Sequence, residues 1–198
     1  VDTAYRERFG LQCLKPFGFN NTYTITVRRS TAGEKNWNSI SDMAPSAGEL
    51  KAGFTGEFAE RADGYPGVAE KYSLRFGQVV DLEPSLMYEA IAREEVDVIC
   101  AFTTDGRIEA YELQTLIDDK DFFPPYYAAP VLNRELFNRY PDVKKVLNRL
   151  TGRISNVEMQ KMNFEVDENS RQTEDVARDF LINQGIIGES KPQKKKEN

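Results

Sequence analysis

The sequence predicts an α/β fold in which at least part of the sheet is parallel. Hydrophobic residues make up 40% of the 198-residue chain and aromatic residues 11%, which is enough for a substantial core. Through the middle of the chain, apolar runs of strand length alternate with helical patterns, and the last third turns to helical spacing. Strands that alternate with helices are typical of a parallel sheet covered by helices.

The first part of the chain is expected to form a short helix and two strands. Residues 1–9 have helical spacing, and Gly10 is placed to end that helix. Residues 11–14 have the pattern of a short strand, and residues 22–29 are rich in the β-branched residues that favour strands. The turn between the two strands is marked by Pro16, Gly18, Asn20 and Asn21.

Strand and helix alternate through the middle of the chain. Residues 30–49 are expected to form a loop that holds a short helix near residues 41–44, and residues 57–67 a Gly- and charge-rich connection. Helices are expected over residues 68–72 and in a segment capped by Ser85. The expected strands cover residues 51–55, 78–82, 96–102 and 109–117.

The last third is expected to be mainly helical. Two prolines within residues 122–127 indicate a bend or a strand edge, because proline cannot donate to a strand ladder. An apolar strand then runs to Leu132, and helical spacing begins at Arg134. Ser155 and Glu158 have the spacing of a capping box, which predicts the start of a helix. The final elements are an amphipathic helix over residues 173–183 and a polar tail over residues 188–198, which we expect to be disordered.

Composition excludes several classes of function. The formal net charge is −6 and no basic stripe is present, so we expect no nucleic-acid partner. The absence of histidine removes Ser-His-Asp and Cys-His catalysis and histidine metal sites. No nucleophile elbow, phosphate-binding loop or dinucleotide-binding motif occurs, and the carboxylate pairs are typical of solvated faces. We therefore expect a protein that is not an enzyme and that uses no cofactor and no metal.

Three aromatic residues lie where core packing is not the obvious use of the side chain. Tyr23 follows a polar turn, Phe102 ends a buried strand, and Tyr126 follows two prolines. Proteins of the α/β class place ligands at strand ends and chain crossings. An aromatic ring at such a point can offer its negative face to a cation. Taken one at a time, each of the three is better explained as an ordinary half-buried core residue.

Four ordered motifs resemble one protein family. The resemblance runs from about residue 5 to residue 187, and the family is that of the quaternary-ammonium substrate-binding proteins of ABC importers. These proteins take up glycine betaine, choline, carnitine or proline betaine as osmoprotectants. The motifs are Phe17-Gly18-Phe19-Asn20-Asn21-Thr22-Tyr23, residues 60–67 (Glu-Arg-Ala-Asp-Gly-Tyr-Pro-Gly), residues 97–108 (Asp-Val-Ile-Cys-Ala-Phe-Thr-Thr-Asp-Gly-Arg-Ile) and Phe122-Phe123-Pro124-Pro125-Tyr126.

The resemblance implies a two-lobed fold of the type II periplasmic-binding-protein kind, with one lobe complete and the other partial. The implied division is residues 1–19 as the end of a first-lobe segment, 20–124 as the second lobe, 125–187 as the return to the first lobe and 188–198 as the tail. Crossings between lobes are implied near residues 20–23 and 124–126. Cys13 and Cys100 then lie in different lobes. A disulfide between them stays open from the sequence, but we expect both thiols to be reduced and apart.

The resemblance also implies which residues bind the ligand. Tyr23, Phe102 and Tyr126 stand at positions where the family forms an aromatic cage, and Phe102 replaces a tyrosine that relatives often carry. Asn21 matches a position that offers its backbone carbonyl to the ligand methyl groups. Arg61 matches a basic residue that pairs with a ligand carboxylate, although it could instead bridge the lobes through Asp63 or a facing acid.

The implied partners are a small quaternary-ammonium ligand and an ABC transporter permease. By resemblance, the protein is extracytoplasmic, either periplasmic or anchored at the outer face of the cell membrane. Relatives carry a further first-lobe segment before the helix that ends near Gly10. We therefore expect this chain alone to bind weakly, and to be a fragment or to self-associate near residues 125–187. An interaction or regulatory domain on the same incomplete fold, without transport, is the alternative.

Overall fold

The computed structural model describes residues 2–188, with side chains from Tyr5 onward. Its larger sheet has five strands in the order β4-β3-β5-β2-β6. β3 runs parallel to both β4 and β5, whereas β2 runs antiparallel to β5 and β6. The predicted partly parallel α/β sheet is therefore confirmed. Its strands are β2 (Tyr23–Arg28), β3 (Lys51–Phe54), β4 (Gln78–Asp81), β5 (Val98–Phe102) and β6 (Leu113–Thr115).

A second, two-stranded sheet pairs a strand near the start of the chain with a strand at the beginning of its last third. It consists of β1 (Leu11–Cys13) and β7 (Val131–Asn133), which pair antiparallel with Leu11 opposite Asn133. Cys13 lies in this sheet and Cys100 in the larger one, and neither forms a disulfide.

Helices surround the larger sheet and make up most of the last third. The first seven are α1 (Asp2–Phe9), α2 (Arg29–Lys35), α3 (Ile40–Met43), α4 (Gly56–Glu60), α5 (Tyr65–Tyr72), α6 (Pro84–Ala92) and α7 (Arg107–Ala110). The others are α8 (Arg134–Arg139), α9 (Val143–Leu147), α10 (Asn156–Asp167) and α11 (Thr173–Asn183), and 3₁₀ turns cover Ala44–Glu49 and Asn148–Leu150. Within residues 2–188, no helix is both long and apolar enough to cross a membrane.

One hydrophobic core fills the space between the larger sheet and its helices. Four of the six residues of β2 are buried, and four of the five residues of β5, as expected of central strands. The helices contribute side chains such as Ile40, Phe58, Val68 and Ile91, each almost fully buried. The strand ends that bear Tyr23 and Phe102 lie at the margin of this core.

Four sequence-based predictions of elements were wrong. Residues 109–117 do not form one strand, because a helix (α7) ends at Ala110 and Glu112 adopts a left-handed backbone (φ 51°) before β6 begins. Residues 30–35 of the predicted loop belong to helix α2. The predicted connection over residues 57–67 contains most of helix α4 and the start of α5. Helix α6 begins at Pro84 after Glu83, so Ser85 is not its cap.

Two predictions for the last third of the chain were confirmed. The Ser155 hydroxyl accepts from the Glu158 N–H, and the Glu158 carboxylate accepts from the Ser155 N–H, which completes the predicted capping box. The last helix covers the predicted residues 173–183. The predicted disordered tail lies outside the described residues from position 189 onward.

Candidate functional site

Two aromatic side chains are stacked at one edge of the larger sheet. Tyr23 is the first residue of β2 and Phe102 the last of β5, and the antiparallel register places them opposite each other. Their ring centroids are 4.6 Å apart with an interplanar angle of 28°. Phe102 is 43% exposed, although the four residues before it in β5 are buried. The pair thus presents an aromatic surface where the buried strand ends.

The ring of Tyr23 rests on two further aromatic side chains. Its centroid lies 5.2 Å from that of Phe58 in α4 and 6.5 Å from that of Phe123. Burial, and next the carboxylate of Glu57, raise the pKa of Tyr23 above its usual value. The phenol is therefore neutral at neutral pH, and what it offers a cation is its ring face and not a phenolate charge.

The two predicted crossings lie side by side and are joined by hydrogen bonds. The Asn21 N–H donates to the Tyr126 carbonyl (3.1 Å), and the Thr22 hydroxyl to the Pro124 carbonyl (2.9 Å). The Tyr126 N–H donates in turn to the side-chain oxygen of Asn20 (2.5 Å). Residues 20–22 and 124–126 therefore form one connected pair of chain segments next to Tyr23.

Asn21 is exposed and holds a neighbouring loop with its side chain. Its Oδ1 accepts from the hydroxyl of Thr104 at 2.8 Å. Within the part of the chain that the structure describes, no hydrogen bond to the backbone carbonyl oxygen of Asn21 is formed. The contact with ligand methyl groups that the resemblance implies for this oxygen stays a prediction.

Arg61 forms ion pairs with two acidic residues that are close to it in the sequence. Its Nε and Nη2 atoms donate to the two carboxylate oxygens of Asp63 at 2.8 and 2.5 Å, and Nη1 donates to Glu57 at 2.6 Å. The side chain is about half exposed. The pairing with Asp63 that the sequence left open is therefore present, whereas a ligand carboxylate would have to share this guanidinium with two acids.

Tyr126 is also exposed, at 58%, and among the described residues its ring does not stack on Tyr23 or Phe102. The structure thus brings Tyr23 and Phe102 into contact and joins Asn21 to Tyr126 through the backbone. Arg61 lies beside Glu57, and its charge opposes, without cancelling, the rise in the pKa of Tyr23 that burial causes.

A cavity of about 280 Å³ adjoins the stacked pair. Besides the two rings, it is lined by the charged side chains of Glu57 and Arg107 and by residues of the loop after β3, of α6 and of β5. Sequence reasoning missed Glu57 and Arg107 as site residues. Arg107 lies in one of the four motifs but was given no role there, and Glu57 was assigned to a charge-rich connection. The remaining lining residues are Thr55, Pro84, Met87, Cys100 and Ala101.

Arg107 is held in place from two sides. Its Nε and Nη2 donate to Asp105 at 3.0 and 2.7 Å, and its guanidinium lies 4.0 Å from the ring centroid of Tyr88. The Tyr88 hydroxyl also donates to Asp105 at 2.7 Å. Burial acts to raise the pKa of Asp105, but hydrogen bonds from Arg107 and Tyr88 outweigh it and keep that pKa below its usual value. The carboxylate thus stays ionised and fixes Arg107.

A second cavity, of about 440 Å³, lies on the other side of Phe102, between the loop after β5 and helix α10. Two side chains of α10 tie the helix to this loop, since Gln160 donates to the Thr103 carbonyl and Asn163 to the Thr104 carbonyl, each at 2.7 Å. A Cβ atom at Gly106 would lie 2.5 Å from the backbone nitrogen of Phe164. Only glycine permits this close approach.

The exposed ring faces of Tyr23 and Phe102 can attract a cation that offers no hydrogen-bond donor. The charged groups beside them are paired, Glu57 with Arg61 and Arg107 with Asp105. No group of three or more Cys, Asp or Glu side chains within residues 2–188 is arranged to hold a metal ion.

The sequence matches a known family over nearly its whole length. The OpuAC family profile, described as "Substrate binding domain of ABC-type glycine betaine transport system", matches residues 1–183. The carnitine transport binding protein OpuCC of Listeria monocytogenes is 38% identical over 182 residues, which are 91% of this chain and 59% of that protein. The glycine-betaine-binding protein of Pseudomonas aeruginosa is 33% identical and is covered to 60%, with 88% of this chain matched. This chain therefore spans about three fifths of the length of these relatives.

Solved structures share the fold. A crystal structure described as that of a glycine betaine/carnitine/choline ABC transporter has a TM-score of 0.89 and 37% identity to this chain. The match covers 93% of this chain and 68% of the chain in that structure. The apo form of YehZ from Escherichia coli has a TM-score of 0.83 and 28% identity. That match covers 94% of this chain and 70% of the YehZ chain. The likeness confirms the predicted type II periplasmic-binding-protein fold. The chain belongs to the family of substrate-binding domains of ABC-type glycine betaine transport systems.

Proposed function

We propose that this chain binds a quaternary-ammonium osmoprotectant such as glycine betaine, choline or carnitine, for delivery to the permease of an ABC importer. The observation that carries the proposal is the stacked, half-exposed pair of Tyr23 and Phe102 at the sheet edge. A trimethylammonium group has no N–H donor, so hydrogen bonds cannot select it. Its charge is spread over methyl groups, and each contact with a ring face contributes about 0.5–2 kcal/mol.

The spacing of the two rings determines how they can bind. Centroids 4.6 Å apart leave no room for a trimethylammonium group between the rings. The pair therefore acts as one wall of the site, and the cation lies against its outer surface. We assign a second wall to Tyr126 and a methyl contact to the carbonyl of Asn21. The carboxylate of a zwitterionic ligand is assigned to Arg61.

We further propose that the chain is divided between two lobes as the resemblance implies. Two facts support this division. All five strands of the larger sheet come from residues 20–124, whereas the two-stranded sheet is built from residues 1–19 and 125–187. The hydrogen bonds between residues 20–22 and 124–126 lie where the two sheets connect, as expected of a pair of crossings.

The proposed role is binding rather than catalysis, with a small ligand and a permease as partners and an extracytoplasmic location. Family membership supports each of these, because the family profile is that of a substrate-binding domain of a transport system. Self-association near residues 125–187 stays a prediction, and light scattering at several chain concentrations tests it.

Isothermal titration calorimetry tests the proposed function. The 198-residue chain is titrated with choline, glycine betaine and carnitine, and with ethanolamine and glycine as matched amines that lack the methyl groups. Saturable heat with at least one methylated ligand and none with its unmethylated partner is expected. Because this chain alone is expected to bind weakly, the titration is carried out at millimolar ligand concentrations. Equal heats within each pair would overturn the proposal, and the absence of binding by every ligand even at those concentrations would favour the interaction-domain alternative.

A further inference from the structure

The cavity beside the stacked pair has two chemically different parts. Its exposed side bears the rings of Tyr23 and Phe102 and the charged groups of Glu57 and Arg107. Its inner side is formed by buried residues without a charged group, from the first turn of α6 and the end of β5. We call these the floor residues, and they are Met87, Cys100 and Ala101. The exposed Pro84 and the partly buried Thr55 complete the lining.

The floor is buried, soft and uncharged. Met87, Cys100 and Ala101 are each at most 5% exposed. The sulfur atoms of Met87 and Cys100 are 4.0 Å apart. Burial raises the pKa of the Cys100 thiol to about 11, so this group carries no charge at neutral pH. Methionine side chains adapt their shape to irregular apolar groups, because the chain is unbranched and the thioether is polarizable.

The cation-binding groups and the floor face the same cavity from different sides. A trimethylammonium group on the outer surface of the Tyr23–Phe102 pair is attracted by the ring faces, and the charges nearby are balanced in pairs, Glu57 by Arg61 and Arg107 by Asp105. A substituent on that nitrogen that points toward the floor residues meets apolar atoms and sulfur. The very short substituents of choline and glycine betaine are polar and gain nothing from this floor.

We infer that the floor residues form a subsite for an apolar substituent on the ammonium nitrogen. The ligand class that uses the whole cavity is therefore that of alkyltrimethylammonium compounds, with the cation at the rings and the alkyl chain against Met87 and Cys100. This inference rests on the proposed binding of quaternary ammonium compounds and adds a preference within that class.

A homologous series of ligands tests the inference on the 198-residue chain. Dissociation constants are measured by NMR titration for tetramethylammonium and for ethyl-, propyl- and butyltrimethylammonium. The expected result is a rise in affinity of about fourfold with each added methylene, the value for moving one methylene from water into an apolar environment. Equal affinity across the series overturns the subsite but leaves the proposed function standing. Failure to bind any member, tetramethylammonium and choline included, overturns the proposed function itself.

Substitutions at Met87 and Leu86 test whether the floor residues cause the increase in affinity with chain length. Met87→Gln keeps the length of the side chain but makes the floor polar, and the affinity ratio of the butyl to the methyl compound should fall at least fivefold. Met87→Leu keeps an apolar floor and should preserve most of the ratio, which covers the case in which the glutamine variant does not fold. Leu86→Gln changes the neighbouring, exposed residue of α6, which does not line the cavity, and should leave the ratio unchanged. An unchanged ratio in a folded Met87→Gln variant contradicts the inference.

Discussion

Tyr23 and Phe102 are directly opposed in the β2–β5 pair, with ring centroids 4.6 Å apart, and they lie where both strands leave the core. Their separation is set by the distance between neighbouring strands, because each residue is held in the strand ladder. The aromatic wall is therefore formed by the fold itself and does not depend on a bound ligand.

The first prediction concerns the ring of Phe102. Phe102→Leu removes the π face but keeps an apolar side chain, so affinity for choline should fall by about 0.5–2 kcal/mol. Stability should change little, because the side chain is 43% exposed. Phe102→Tyr is the matched control and should retain binding, since the ring face is kept. A Phe102→Tyr variant that fails to fold would show that this residue belongs to the core and not to the site.

A second prediction compares the contributions of two adjacent exposed tyrosines, Tyr126 and Tyr127, to ligand affinity. Tyr126→Ala should weaken binding of a quaternary amine by at least about 1 kcal/mol, because this ring is assigned to the site. Tyr127 is equally exposed, at 59%, but is not assigned to the site, so Tyr127→Ala should leave affinity unchanged. Calorimetric titration of both variants decides the matter. Unchanged affinity of Tyr126→Ala for every osmolyte tried would remove Tyr126 from the site.

A third prediction concerns the contact between Gly106 and helix α10. A methyl group at position 106 would lie 2.5 Å from the nitrogen of Phe164, so Gly106→Ala should lower the free energy of unfolding by about 1–3 kcal/mol. Hydrogen exchange in α10 should increase at the same time. Gly33→Ala is the control, because no atom lies within 4 Å of its added Cβ, and this helical substitution should stabilise by about 0.4–1 kcal/mol. Equal effects of the two substitutions would refute the close approach.

A fourth prediction concerns the pH dependence that Asp105 confers. The pKa of Asp105 in the folded chain is below its unfolded value, so its contribution is complete above about pH 4 and is lost as the pH falls through the folded pKa. Asp105→Asn should cost about 1–3 kcal/mol at pH 7, since it removes the charge that holds Arg107. Denaturant unfolding of both proteins from pH 7 to pH 3 should show this difference shrink below pH 4. A difference that is constant over the whole range would contradict the assigned pairing.

Sequence reasoning succeeded where local interactions decide the structure. The capping box at Ser155 and Glu158 depends on groups three residues apart and was predicted correctly. Helix α2 was missed because Arg29–Lys35 includes Gly33, Ser30 and Thr31, which have low helix propensity, and burial of Ala32 stabilises it instead. The false strand over residues 109–117 also reflects a contact between residues distant in sequence, since the carbonyl of Glu112, at the left-handed turn, accepts a hydrogen bond from the Arg29 N–H.

The candidate site was predictable in part. Family resemblance pointed to Tyr23 and Phe102, and their contact in the sheet follows from strand register. Met87 and Arg107 belong to helices α6 and α7, which reach the same cavity only after folding. No spacing in the sequence relates these two residues to Tyr23, so pattern analysis could not have assigned them.

The central claim is that the aromatic wall recognises a cation through its charge. The most direct test compares the affinity of the chain for choline with that for 3,3-dimethylbutan-1-ol, a neutral molecule of the same shape. If the rings bind through cation–π contacts, choline should bind at least tenfold more tightly than the neutral alcohol, and Phe102→Leu should reduce the ratio of the two affinities. Equal affinity of the two compounds would mean that the rings bind apolar surface alone, and it would contradict the account.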